Sequence, residues 1–429
     1  MSQWREIRTR TIRRRRTRRR RLIGRTLPPT VLALALTVTA CGNGVEPGVD
    51  SSGRVVSLRV LDYYTNQPDT KIYQRLYDAC GRRLGVRIDR ESVAGAGYMP
   101  RVLQQAASRT LPDVLMLDNP DLQQIASVGA LAPIADFGLS TKGYARGVVA
   151  SSTYRGKVYG LQPAANTLAL FYNKKLLKEA GVEPPRTWDE LRRTAKELTV
   201  SDTYGMGFSA VATYEGAWQF LPFMWSNGGT ERNLATPATA QAVGLWRDLV
   251  ADGSAPKSVV NWSQADVNDQ FKNGNLAMMV NGPWQLPLLD EAHKKKGLEF
   301  GVAKIPVPAG KKMSVAPLGG ETFTLPQTGD RRTQKKAARF VACMNSERVQ
   351  LKLGRLRDLV PARTDLAARL AAHDPRLRAF VEQVRTARAR TALLGPAWPK
   401  AATRIYTALQ TALTGGATPA QAVRQAQND

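Results

Sequence analysis

"SLRVLDYYTNQPDTKIYQRLYDACGRRLGVRIDRESV", Ser57 to Val93, decides the architecture. "SLRVLDYY" and "VRIDRESV" read as short strands, and the stretch around Lys71 to Leu84 between them carries apolar residues at helical spacing. A second helical stretch through Val102 and Leu103 leads to "DVLMLD", which ends at Asp118. Strand, helix, strand, helix, strand is the pattern of a parallel sheet covered by helices. Ligands in such folds lie outside the carboxyl ends of the strands. Tyr63 to Gln67 and Asp118 to Asp121 are therefore site candidates.

Working outward, "ALFYN" (Ala169 to Asn173), "NLAMMVNGPW" (Asn275 to Trp284), "EFGVAKIPV" (Glu299 to Val307) and "ETFTLP" (Glu321 to Pro326) read as further strands. Helices announce their starts. "TWDE" at Thr187 is a capping box, and "TPAT" at Thr236 and "TPAQ" at Thr418 each place a cap residue before a proline at the first helical position. Ala238, Ala242, Leu245 and Leu249 recur at helical spacing, as do Leu377, Phe380, Val381 and Val384. "GAGYMP" at Gly95 reads as a loop, the last 70 or so residues carry no strand signal, and no repeat of fixed period is visible.

A chain of 429 residues accommodates two or three domains. Its net charge of +27 suggests nucleic acid at first sight, but twelve arginines lie within the first 40 positions, opposed by Glu6 alone. The remainder holds 50 basic and 34 acidic residues, with no basic stretch interleaved with aromatics. Nucleic-acid binding is not the expectation. Residues 1–40 instead read as a secretory signal: "RRRRTRRRRLIGR", an apolar run of about ten residues, then "VTAC" ending at Cys41. That run falls short of the roughly 20 residues a bilayer span requires. Small residues before the cysteine fit a bacterial lipoprotein signal, in which Cys41 receives lipid through its thiol. "RRRLI" at Arg19 suits twin-arginine export, and the general route fits as well. "GNGVEPGVDSSG", within residues 41–54, reads as a tether. The expected location is the outer face of the cytoplasmic membrane, held by the lipid anchor. Cys80 and Cys343 remain, as either a disulfide or two buried thiols.

Two histidines, His293 and His373, leave little for histidine chemistry or metal binding, and neither GxSxG, HExxH nor a P-loop occurs, since "GFSAV" lacks the closing glycine. No metal or cofactor is expected. A glycosidase needs no local motif, and Asp118 with Glu321 would be its pair. Eight tryptophans are more telling. Trp218 and Trp225 in "EGAWQFLPFMWSNGG" share a helix face, Trp284 follows "NGP" at a strand end, and Trp398 opens a helix in "GPAWPK". Aromatic faces stack on the C–H faces of sugars while amides and carboxylates take the hydroxyls. Trp284 is the best ligand candidate of the four, and Trp225 belongs to the core.

From about Val55 onward the chain resembles the extracellular solute-binding proteins of ABC importers, specifically the sugar-binding family that includes maltose-binding protein. The resemblance is carried by "LPDVLMLDNPDLQQIASVGALAPI", "GLQPAANTLALFYNKKLLKEAGVEPPRTWDELRRTAKELT", "FKNGNLAMMVNGPW", "APLGGETFTLP", "GPAWPK" and "TPAQAVRQAQ", in family order. It implies a two-lobe α/β clamshell with crossovers at a hinge. Residues 55–161 plus 321–354 would form lobe one, and 164–318 plus 355–429 lobe two. Hinge positions would lie near Pro163 to Asn166 and Gly319 to Glu321. It implies ligand-binding roles for Asn66, Gln67, Asp118, Asn119, Asn166, Trp218, Trp284, Glu321 and Trp398. The family also carries a tryptophan after its third strand where "LDNPD" stands here, so maltose is not carried over as the ligand.

The expected function is a monomeric, lipid-anchored receptor, not an enzyme, that binds a mono- or oligosaccharide and delivers it to an ABC-type permease. The alternatives are a receptor for another polyol or a small anion, a secreted glycoside-acting enzyme, and a wall-binding protein that uses its basic surface.

Overall fold

The computed structural model describes residues 56–429. The signal segment 1–40, the lipidation site Cys41 and the tether to residue 54 lie outside the described residues. The opening stretch forms β1 (Ser57–Asp62), α1 (Asp69–Leu84), β2 (Arg87–Ser92), α2 (Tyr98–Ala107) and β3 (Val114–Asp118). β1 pairs in parallel with both β2 and β3. The parallel expectation holds for those three strands and stops there. Glu321–Thr324 runs antiparallel to β3, and the short Gly160–Leu161 pairs antiparallel beyond it. Both belong to the crossovers, which arrive from the opposite direction.

A second sheet has the order Phe300–Ala303, Ala169–Asn173, Leu276–Asn281, Tyr204–Gly207. The last strand, "YGMG", escapes sequence reading because two glycines in four residues carry no strand signal. Each sheet is covered on both faces. In β3, Val114 and Met116 enter one hydrophobic cluster and Leu115 and Leu117 another, and all four are fully buried. Leu170 and Phe171 separate in the same way into the two clusters of the second sheet. Strict alternation sorts the residues by face, and burial on both faces explains the unbroken apolar runs.

The caps form as read. Thr187 and Glu190 bond reciprocally, Thr418 and Gln421 make a second capping box, and Thr236 accepts from the Thr239 amide ahead of Pro237. Two expectations need correction. Gly95–Gly97 is a 3-10 turn leading into α2, not a loop. The carboxyl-terminal region does contain strands, Val360–Pro361 and Arg388–Ala389, which pair with Ala164–Ala165 and Pro317–Leu318. Two residues are too few for a periodic signal, and each strand exists because a crossover offers it a ladder.

Of the two cysteine alternatives the disulfide forms, joining Cys80 on α1 to Cys343 on the helix Arg331–Met344. Its 263-residue separation closes most of the folded chain into a loop. Replacing both cysteines by serine is expected to lower unfolding free energy by about 2–5 kcal/mol. Denaturant titration of the pure proteins measures the difference, and no change would mean that the bond constrains nothing the core does not already hold.

Candidate functional site

The carboxyl ends of β1 and β3 and the start of Glu321–Thr324 converge at one place, because Glu321 is paired directly opposite Asp118. There they wall a cavity of about 350 Å³, a size typical of ligand sites. Tyr63, Tyr64 and Tyr73 form one group in its wall, with Tyr64 stacked on Tyr73 at 3.9 Å between ring centroids. Tyr214 and Trp218 line the cavity as well, and Trp284 packs against the hydrophobic clusters of both groups. Burial holds the hydroxyls of Tyr63, Tyr64 and Tyr73 well above the usual phenol range, so they stay protonated donors.

Two arginines from the carboxyl-terminal region complete the walls. Arg390 ion-pairs with Asp118, donates to the Asn119 side chain at 3.1 Å, and lies over the Trp218 ring at 4.5 Å. Its Nε is buried and has no hydrogen-bond partner. Arg357 ion-pairs with Asp69 and donates to the Trp284 carbonyl at 3.1 Å. Glu321 accepts from the Tyr63 hydroxyl at 2.9 Å. Burial, then the facing Asp118, pushes its carboxyl up to about 6. Asp121, deep behind Asp118, is pushed up to about 8 by burial first and by Asp118 second. It accepts from the Tyr214 hydroxyl at 3.4 Å.

Six of the nine expected residues line this cavity: Asn66, Asp118, Asn166, Trp218, Trp284 and Glu321. Three do not. Gln67 is exposed and outside the cavity wall. Asn119 is 1 % exposed and lies beneath the wall, donating to the Leu318 carbonyl while it receives Arg390. Trp398 opens its helix as read, but the ring is buried in the hydrophobic core of the second sheet. Trp218 is itself nearly buried, with the Arg390 guanidinium on one face, whereas Trp284 is the more open ring. Trp225 is a core residue that donates to Glu231 at 2.8 Å.

Asp69, Tyr73, Tyr214, Glu215, Gln264, Arg357 and Arg390 were not anticipated. Asp69 and Tyr73 were legible in principle. They lie four apart at the start of the helix that follows β1 after a six-residue loop, so its first turns lie at the carboxyl end of that strand. The two arginines carry no local mark. Among the described residues, no group of three or more His, Cys, Asp or Glu is placed to hold a metal ion.

Residues 75–379 match the family model of the bacterial extracellular solute-binding proteins. The chain belongs to that family. Over 171 residues this solute-binding protein is 32% identical to a putative binding protein of Brucella abortus, matching 38% of this chain and 41% of that one. The match thus spans about two fifths of the length of that relative. A broader likeness, 23% identity over 92% of this chain and 93% of the relative, links it to the galactooligosaccharide-binding protein of Bacillus subtilis. The fold is that of maltose-bound T. maritima MalE3, with a TM-score of 0.78 at 22% identity, covering 87% of this chain and 98% of that one. The GacH receptor of Streptomyces glaucescens, solved unliganded and with acarbose, matches at TM-score 0.77 and 25% identity over 87% and 97% of the two chains. These two-lobe structures agree with the clamshell expectation.

The raised carboxyls fix the sign of a pH dependence. A carboxyl held above its unfolded value stabilises the fold fully below that unfolded value and ceases to do so as pH rises through the folded value. Glu321 therefore loses its contribution as pH rises through about 6, and Asp121 as it rises through about 8. Asp121→Asn keeps the acceptor for Tyr214 and cannot ionise. The wild-type melting temperature minus that of the variant is expected to fall between pH 5 and pH 9. A difference that stays flat across that range in thermal melts would show that Asp121 ionises alike in the folded and unfolded chains.

Proposed function

We propose that this solute-binding protein is a monomeric receptor that binds a neutral mono- or oligosaccharide between its lobes and presents the closed form to an ABC-type permease. In this reading residues 55–161 with 321–354 form one lobe and 164–318 with 355–429 the other. Asn66, Asp118, Asn166, Trp218, Trp284 and Glu321 take the sugar, joined by Tyr63, Tyr64 and Arg390. Export and lipid attachment at Cys41 keep the receptor at the outer face of the cytoplasmic membrane, within reach of the permease.

The observation that carries the reading is a cavity whose wall combines aromatic rings with hydrogen-bonding groups. Rings supply stacking on C–H faces, and ion-paired carboxylates with oriented lone pairs accept from sugar hydroxyls. A hydroxyl missing from the wrong sugar leaves such a buried group unpaired, which costs more than the correct bond gains. The names of the Bacillus subtilis and Streptomyces glaucescens relatives point to oligosaccharides and to acarbose. Contacts from both lobes favour the closed form, so binding shifts the population toward it.

One observation favours a second reading, a glycoside-acting enzyme. Asp118 and Glu321 face each other in adjacent strands and line one cavity, and burial pushes the Glu321 carboxyl up to about 6, as acid catalysis by a paired carboxyl requires. Binding without turnover is the first reading's claim.

A thermal-shift screen of residues 52–429 against neutral sugars, charged sugars and simple anions tests both. A neutral sugar is expected to raise the melting temperature by an amount that grows with the logarithm of its concentration. Trp284→Ala is expected to weaken that sugar roughly tenfold. Chromatography of the incubated sugar should show it intact. Cleavage products would establish the enzyme, and a response to anions alone would end the neutral-sugar reading.

A further inference from the structure

Val56, the first described residue, sits against the far end of α1 from the cleft. It lines a cavity of about 230 Å³ with Leu84, Gly85 and Val86 at the end of α1 and with Lys336 and Arg339 of the helix Arg331–Met344. Its carbonyl accepts from the Arg87 amide at 2.9 Å, which secures the position. The disulfide between Cys80 and Cys343 pins the two helices side by side.

This end of the molecule is basic. Arg82 and Arg83 fill the last turn of α1 and are exposed, and Arg332, Lys335 and Arg339 are exposed on the neighbouring helix, with Lys336 half-buried. Among the described residues none of these six makes an ion pair. The acidic residues nearest in sequence are engaged elsewhere: Asp78 accepts from Gln74, Asp89 pairs with Arg87, and Asp330 caps its own helix. At the opposite end, Asp69 and Tyr73 of α1 line the site cavity. The 16 residues of α1 separate the two ends by about 24 Å.

We propose that this basic end is a docking surface for the anionic headgroups of a phospholipid membrane, which holds the cleft end outward, away from the bilayer. Two observations select that partner. The unpaired cations are complementary to anionic phosphates, and the chain that leads back to Cys41 joins the body at Val56, which shares a cavity with Lys336 and Arg339. Val56 lies fifteen positions beyond Cys41, so the basic end stays within about 50 Å of a lipid carried there. The orientation rests on the reading of Cys41 as the lipid anchor; the affinity for headgroups does not. Docked this way, the receptor captures solute from outside and must leave the pose to meet a permease with its cleft side.

Residues 52–429 are the test protein, because every hydrophobic cluster described is built from residue 56 onward, and without Cys41 vesicle binding is free of any lipid anchor. Sedimentation should show binding to vesicles of phosphatidylglycerol mixed with phosphatidylcholine, none to phosphatidylcholine alone, and loss of binding as salt is raised. At about fivefold per basic residue near the surface, the triple variant K335Q/K336Q/R339Q should partition roughly a hundredfold less. K174Q/K178Q/K400Q removes the same charge from exposed positions elsewhere and should stay within about threefold of wild type. If the first variant melts early, R82Q/R83Q takes its place, with an expected loss of about 25-fold. Equal losses in both triple variants, absence of binding to phosphatidylglycerol, or preference for soluble polyglycerophosphate over vesicles would each overturn the proposal. A neutral-sugar thermal shift that persists in any of these cases leaves the receptor reading standing.

Discussion

Two backbone hydrogen bonds between Asn166 and Gly319, one in each direction, tie together the strands that carry the chain from one sheet to the other. Their closeness dictates what may stand there. A Cβ on Gly319 would lie 2.0 Å from the Asn166 side chain and 2.7 Å from the Trp218 ring. Gly320 adopts a φ of +130°, and a Cβ there would meet the Gln162 side chain at 2.1 Å, a conformation and a space that only glycine fits. Gln162 in turn donates to the carbonyls of Ala164 and Gly319, fastening one crossover to the other. In the proposed receptor, hinge and binding wall are thus the same few residues. A ligand that touches Asn166 or Trp218 bears directly on the segment about which the lobes would turn.

The electrostatics follow from that confinement. Crossovers and strand ends bring Asp62, Asp69, Asp118, Asp121 and Glu321 into or beside one partly dry region, where unpaired charge is expensive. Three are answered by guanidinium groups: Asp62 by Arg90, Asp69 by Arg357 and Asp118 by Arg390. Asp121 and Glu321 are left with tyrosine hydroxyls and respond by holding protons more tightly. Arg357 and Arg390 each join parts of the chain hundreds of residues apart, so site polarity and the docking of the carboxyl-terminal region are one interaction.

Strand and helix placement was legible wherever local rules govern. The alternation in β3, the unbroken apolar run of Leu276–Asn281 and the capping residues Thr187, Thr236 and Thr418 each have a physical cause that acts within a few residues. Asn66 and Asp118, which line the cavity, were legible for the same reason, since topology sends the carboxyl ends of β1 and β3 to one edge, whereas Glu321 opens its strand and was singled out by the family resemblance. Trp398 shows the limit. A tryptophan beside glycine and proline looks available for stacking, yet its helix packs that ring inward, and nothing within "GPAWPK" reports which way the helix is turned.

By itself the sequence determined the alternating elements, the end of each sheet at which a site could form, and the aromatic and polar chemistry on offer, because periodicity, caps and strand direction are local properties. Only the tertiary structure decided that Cys80 meets Cys343, that Arg357 and Arg390 close the walls, that Trp218 is covered while Trp284 stays open, and that the basic helices meet where the chain enters the body. Those are contacts between segments whose separation along the chain carries no period. They arise when two lobes pack through their crossovers, and no short stretch of residues encodes them.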